Sequence, residues 1–197
     1  MNCKLTTQEM TTHKGFQWEI GKKEVITTEG GELCSPDYYH YYSDPLLAVF
    51  FNSAHANIIN PRLFRVDVGG EILSDKGLKF GSKELELIEE LELPEVTLTQ
   101  RIVFGILCAL EVNKYTEFEL WATAWLDGTD RTENSAESAT SWSTAAWPAA
   151  WAASKSAAWA AGAAESAAWA AWVAGFAAAS ADIDLIAIAN KTMTYKD

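Results

Sequence analysis

SKELELIEELEL, residues 82–93, is the stretch on which the fold class turns. Leu85 and Leu87 alternate with Glu84 and Glu86, the period-two pattern of a strand with one buried face. Leu85, Ile88 and Leu91 recur every third residue, which fits one side of a helix. We prefer a strand over Glu84–Ile88. With that strand in place the chain reads as α+β, a small mixed or antiparallel sheet with helices, followed by an Ala/Trp-rich helical segment.

The neighbours of this stretch extend the pattern. Upstream, RLFRVDVG (62–69) sets Leu63, Phe64, Val66 and Val68 among charges, a second strand that Gly69-Gly70 is expected to close. Glu24–Thr28 (EVITT) is β-branched and ends at Gly30-Gly31, and His13–Trp18 reads as a further short strand. Glu32–Ser35 extends the sheet or adds to it, and Pro36–Tyr42 is an aromatic-rich turn. Asp44-Pro45 before LLAVFFNS has the form of an N-cap followed by proline in the first helical turn, so a short helix is expected there.

Downstream, Pro94 suits the first position of a helix. Val96–Leu110 carries Ile102, Val103, Ile106, Leu107 and Leu110 at helical spacing, which predicts a buried helix. Tyr115–Trp125 is either a further helix or a strand. These features predict a mobile polar N-terminus over 1–12, an α+β domain over 13–125 and a polar, turn-rich connector over 126–142. An Ala/Trp segment over 143–181 and a C-terminal strand or tail over 182–197 follow.

In the Ala/Trp segment a unit of the form Ser-x-Ala-Ala-Trp or Ser-Ala-Ala-Trp recurs at Trp147, Trp159 and Trp169, at offsets of 12 and 10 residues, and a Pro-Ala-Ala-Trp unit ends at Trp151. Alanine gives the segment high helix propensity. At about 100° per residue, Trp147, Trp151, Trp169 and Trp172 fall within a ~60° stripe, with Trp159 about 80° away. These indoles are expected to pack in a core, or to form an aromatic face for a partner or for homo-oligomer formation. Gly162, Gly175 and Pro148 favour several short helices over one rod.

Charge bounds the function. The formal net charge of −12 argues against direct nucleic-acid binding, because phosphate contacts need lysine and arginine. It suits a partner with a basic surface. Cys3, Cys34 and Cys108 form no C-x-x-C pair, and the expected setting is a reducing cytoplasm. The N-terminal MNCKLTTQEMTTHKG has no apolar core of a secretory signal. Lys155 and Glu165 interrupt the one long weakly apolar run, so no membrane helix is expected. His13, His40 and His55 share no ligand spacing, so no metal site is expected.

Lys14-Gly15-Phe16, Leu33-Cys34, Asp44-Pro45-Leu46, RLFRVDVGG, SKELELIEEL and the Ser/Ala/Trp repeats together resemble a family of uncharacterised phage and bacterial mobile-element proteins. That family's middle motif resembles L-C-x-x-G-F-H-x-x-x-x-P-L. Here LCSPDYYHYYSDPL keeps the cysteine and Pro-Leu, places His40 close to the family histidine and has Tyr-Tyr for Gly-Phe. The resemblance implies a phage or prophage origin, and so the cytoplasm of an infected or lysogenic bacterium, without implying a reaction.

Two functional expectations follow. In the favoured one, the acidic run of Glu84, Glu86, Glu89, Glu90, Glu92 and Glu95 binds a basic surface on a host protein. The chain would then act as an inhibitor of a defence or nucleic-acid-binding protein, with no catalytic residues and no cofactor. In the alternative, the order of elements resembles an ADP-ribosyltransferase using NAD. His13 would contact the nicotinamide ribose, Tyr38, Tyr39 or Tyr42 would stack on the nicotinamide, and Glu84 or Glu86 would stabilise the positive charge developing on the ribose carbon.

Overall fold

The computed structural model describes residues 1–132, 134, 135, 138, 175, 177, 178 and 181–196. The expected stripe of Trp147, Trp151, Trp159, Trp169 and Trp172 lies outside the described residues. The chain divides into two compact units, Met1–Glu95 and Val96–Asp197. The boundary thus falls well before the connector at 126–142 expected to end the first domain. The two units together have an α+β architecture, with helices and an antiparallel sheet.

In the first unit the strands are β1 (Cys3–Thr6), β2 (Thr11–Thr12), β3 (Phe16–Gln17), β4 (Lys23–Val25), β5 (Tyr39–Tyr41), β6 (Arg62–Ser74) and β7 (Phe80–Leu91). The helix α1 (Pro45–His55) sits between β5 and β6. β6 and β7 form a long hairpin about Lys76 and Gly77, both at positive φ. The Leu78 amide donates to the Asp75 carbonyl at 2.8 Å across that turn. Two positive-φ central residues are the type I′ signature that matches strand twist. β7 is longer than the Glu84–Ile88 strand expected, and its alternation outweighs the threefold spacing because both neighbours supply ladder partners.

Gly69-Gly70 does not close β6. The strand runs on to Ser74, with register shifts between Gly69 and Ile72 and between Arg65 and Val66. At Gly70, with φ of 71°, an added Cβ would stand 2.8 Å from the Lys83 Cβ. A glycine pair inside a strand marks a bulge where the backbones approach closely, here in place of a terminating turn.

The two bulges curl the hairpin, and the sheet closes on itself. β1 pairs β6, β6 pairs β7, and β5 pairs the far edge of β7 alongside β4. Directly after β5, Tyr42 exchanges both backbone hydrogen bonds with Cys3 of β1, each at 2.8 Å. Residues 1–12, expected to be mobile, therefore hold a strand that completes the ring, with Cys3, Lys4, Leu5 and Thr6 all buried. The stretch looks polar because the barrel interior takes Lys4 and Thr6, so the usual apolar signal is missing.

Inside the ring, Trp18, Tyr41, Phe64, Val66, Leu85 and Leu87 form the core. The register sets Val66 opposite Leu87, Val68 opposite Leu85 and Lys4 opposite Phe64. On the other side of β1 and β6, Leu5 faces Leu63. Helix α1 packs on β1 and buries Leu47, Ala48, Val49, Phe50 and Phe51. As its sequence predicts, Asp44 caps α1 by accepting from the Leu46 amide at 2.8 Å, with Pro45 in the first turn.

Three segments differ from expectation. His13–Gly15 is a 3-10 turn joining β2 to β3, because Lys14 and Gly15 both sit at positive φ and reverse the chain. Residues 32–35 form turns, while Tyr39–Tyr41, read as part of a turn, is strand β5.

The second unit is helical where described: α2 (Leu98–Val112), α3 (Thr116–Leu126) and α4 (Leu185–Thr192). Pro94 does not start α2. Thr97 does, accepting from the Gln100 amide at 3.2 Å while Gln100 Oε1 accepts from the Thr97 amide at 3.0 Å, a capping box. Thr97→Ala is expected to destabilise this unit by about 1 kcal/mol, read as faster hydrogen exchange in the first turn of α2. Unchanged exchange would show that the cap is dispensable.

Helix α2 is enclosed, with Ile102, Val103, Phe104, Ile106, Leu107 and Cys108 all buried. α3 resolves the helix-or-strand ambiguity of 115–125 and buries Phe118, Trp121 and Trp125. The segment 182–197, expected to be a C-terminal strand or tail, holds helix α4, capped by Asp184 through the Ala187 amide at 2.9 Å and packed on α2.

Candidate interaction surface

Alternation on β6 and β7 directs Val66, Val68, Leu85 and Leu87 inward, so the intervening charges face out. The register then builds a row across three strands: Lys23 on β4, Glu86 on β7 and Asp67 on β6. One step away, Val25, Glu84 and Gly69 form a second row. Gly69 leaves room for Glu84, since a Cβ there would stand 2.8 Å from the Glu84 Oε2.

Several carboxylates of the acidic run are already partnered. Lys23 Nζ donates to Glu84 at 3.0 Å, Arg65 Nε to Glu89 at 2.7 Å, and Arg62 to both oxygens of Glu90 at 2.8 and 2.6 Å. Hydrogen bonding to Arg62 holds the Glu90 carboxyl below the usual range. Hydrogen bonding to Glu84 and Glu89 raises Lys23 and Arg65 respectively. Arg65 also reaches Asp67 at 3.4 Å, a longer contact than its bond to Glu89.

Glu86 is the exception. It stands directly opposite Asp67, a like-charge cross-strand pair of the kind that disfavours the folded sheet. No ion pair to Glu86 occurs among the described residues. Asp67 is 70% exposed at its side chain, so the pair faces solvent from the middle of the hairpin. Glu92 and Glu95 lie beyond the end of β7, in the segment leading to α2. The acidic run is therefore not one continuous negative face: Glu84, Glu89 and Glu90 are in ion pairs, Asp67 shares Arg65 with Glu89, and Glu86 has Lys23 opposite it on β4 without an ion pair.

Sequence reasoning missed Asp67, Lys23 and Arg65. Their signal is the alternation of RVDV against ELEL, which aligns charges across strands once the two are read as a hairpin.

The residues of the NAD-using alternative sit in other settings. His13 is exposed on the β2–β3 turn. Tyr38 is 3% exposed, with the Lys83 ammonium 4.0 Å from its ring centroid, so the ring offers no open face for a nicotinamide to stack on. Tyr39 packs against Phe16 and Trp18, and the Tyr42 hydroxyl contacts His55 Nδ1 at 3.1 Å. Glu84 is bound to Lys23, and Glu86 lies on the outer sheet face.

Among the described residues, no group of three or more His, Cys, Asp or Glu could hold a metal ion, and no helix is long and apolar enough to cross a membrane. Cys34 is exposed, with Lys79 Nζ 3.1 Å from its sulfur, and the His40 ring nitrogen meets the Leu33 carbonyl nearby.

A family model described as "Domain of unknown function (DUF7666)" matches residues 1–99, the closed-sheet unit and the first residues beyond it. No curated protein and no solved structure matches the chain.

Proposed function

We propose that this chain, which belongs to the DUF7666 domain family, is a protein-binding module whose outer sheet face docks a basic surface of a host protein. The observation that carries the reading is the like-charge Glu86–Asp67 pair at the centre of that face, where Glu86 has no ion pair among the described residues. Two like charges held opposite one another cost the isolated fold stability, and a cationic side chain from a partner would relieve that cost.

Charge bookkeeping supports it. Residues 1–95 hold nine Lys and Arg against sixteen Asp and Glu. Two of the nine, Lys4 and Lys83, are buried and contribute little to the outer surface. Of the others, Lys22, Lys23, Arg62 and Arg65 are already in ion pairs. The surface is thus more acidic than composition alone suggests. A field of this sign steers basic partners and repels nucleic acid itself. The resemblance to phage and mobile-element proteins supports a bacterial host protein, of the defence or nucleic-acid-binding kind, as the partner. Inhibition would follow from covering its phosphate-binding surface.

The test is capture from bacterial lysate by the full chain, compared with the double variant Asp67→Lys plus Glu86→Lys. A matched control reverses the exposed Glu9 and Glu29 instead, with the same change in net charge. The wild-type and control chains are expected to retain a partner that the sheet-face variant loses by about tenfold or more. Equal capture by all three would sink the proposal.

A further inference from the structure

The ring of strands leaves an open edge at β4. This strand pairs β7 at Glu84–Glu86, on the same edge of β7 that β5 occupies from Ser82 to Phe80. Among the described residues no strand flanks β4 on its other side.

The register shows which backbone groups are free. The Ile26 amide donates to the Lys83 carbonyl at 2.8 Å, so Ile26, and by alternation Glu24, turn their backbone groups toward β7. Lys23 and Val25 then hold the non-bonded positions of that ladder, and their N–H and C=O groups point away from the sheet. No hydrogen bond to a described residue closes them.

The edge runs on past the strand. From Lys23 to Glu29 the chain makes no turn or bend, and in an extended chain Thr27 and Glu29 face the same way as Val25. Lys23, Val25, Thr27 and Glu29 are all exposed, Val25 at 51%. Edges of sheets are commonly protected by charge, proline, a bulge or a covering element. Lys22, Lys23 and Glu24 protect the first half of this one, but Val25-Ile26-Thr27-Thr28 is an uncharged β-branched run. Such residues favour a paired position over a bare margin.

We propose that β4 is a pairing edge for a second copy of this chain, the two strands running antiparallel about a two-fold axis at Ile26. In that register Val25 faces the partner's Thr27, Lys23 faces the partner's Glu29, and symmetry makes each contact twice. These are bonded positions of the new ladder, so the free groups of Lys23 and Val25 find partners. Ile26 meets its own copy on the axis. Opposite charges facing one another favour the pairing, and like charges oppose it. A register about Glu24 would set that carboxylate against itself, and one about Val25 would leave Lys23 facing Thr27. A basic strand from another protein matches less well, because it would meet Lys22 and Lys23. The contact uses the backbone edge of β4 and not the side chains of Asp67 and Glu86, so it stands whether or not that face docks a host protein. Conversely, host capture needs no second copy, so the chain reversed at Glu9 and Glu29 retains it as a monomer.

The experiment is sedimentation velocity on the full chain over a concentration series reaching the high micromolar range. The salt is about 0.15 M, where a screening length of about 8 Å weakens net repulsion more than a contact pair. Wild type is expected to pass from monomer to dimer. Val25→Pro removes an N–H that points away from β7, so the internal ladder is kept while the dimer dissociation constant rises about tenfold or more. Far-ultraviolet circular dichroism checks that this variant is folded. Lys23→Glu and Glu29→Lys are each expected to weaken the dimer by about threefold or more, and the two together to restore it. Restoration is a result that a folding defect would not give, so the charge exchange decides if Val25→Pro fails to fold. A wild-type chain that stays monomeric, a dimer that survives in folded Val25→Pro, or a double exchange no tighter than the single variants overturns the proposal.

Discussion

Phe64→Ala is expected to lower the stability of the closed-sheet unit by about 3–5 kcal/mol, the largest loss from any single side chain considered. Phe64 is fully buried, and it occupies the middle of the ring between β1 and β7. Its removal deletes a ring worth on the order of 150–250 Å² of buried surface. The cavity cannot collapse easily, because ladder hydrogen bonds hold the flanking strands on both sides. Hydrogen exchange of the full chain would register the loss as faster exchange throughout β1, β6 and β7, with the helices of the second unit unaffected. Protection unchanged in β6 and β7 would mean that the ring does not depend on this core.

Lys4→Met is expected to act in the opposite direction, raising stability at pH 7 by on the order of 1–3 kcal/mol. Replacing a buried, uncompensated charge with an apolar side chain of similar length removes a desolvation cost and keeps the packing. The pH dependence identifies the cause. Lys4 titrates near 7 in the folded chain and near 10.5 when unfolded. Between those values the unfolded chain holds a proton that the folded chain has released, so wild-type stability rises with pH from about 7 upward.

Cys3 opposes this at higher pH. Burial, its largest cause, raises the thiol from 9.0 to about 12, so above pH 9 the unfolded chain ionises first and stability falls. The Lys4 contribution is therefore cleanest between pH 7 and 9, and Lys4→Met should flatten the rise in that window. A variant with the same slope as wild type would show that Lys4 is not the group responsible.

The sheet itself was legible in the sequence wherever burial is one-sided. RLFRVDV and ELELI state their inward and outward faces by alternation, and Asp44-Pro45 announces the first helix through capping chemistry. Strand β1 was not legible, because Lys4 and Thr6 occupy interior positions and the stretch reads as polar. Gly69-Gly70 misled for a related reason: glycine marks both turns and bulges, and only the partner strand decides between them. Pro94 was a weaker start signal than the Thr97/Gln100 box three residues on. For the surface, the acidic run was visible, but which glutamates remain uncompensated depended on cross-strand partners from β4 and β6. The Ala/Trp repeats, conspicuous in composition, lie outside the described residues.

The backbone pair between Cys3 and Tyr42 has a consequence for how the chain acquires its structure. β1 is made first, yet its ladder partner β6 lies some sixty residues later and its second neighbour follows β5. During synthesis it must wait, unpaired at both edges, until the β6–β7 hairpin has emerged and curled. Such high sequence separation is the mark of slow folding, since loop entropy is lost before the contacts that repay it form. The ring is thus expected to close late, after the local helices have formed, and the waiting strand is the segment most in need of protection from aggregation.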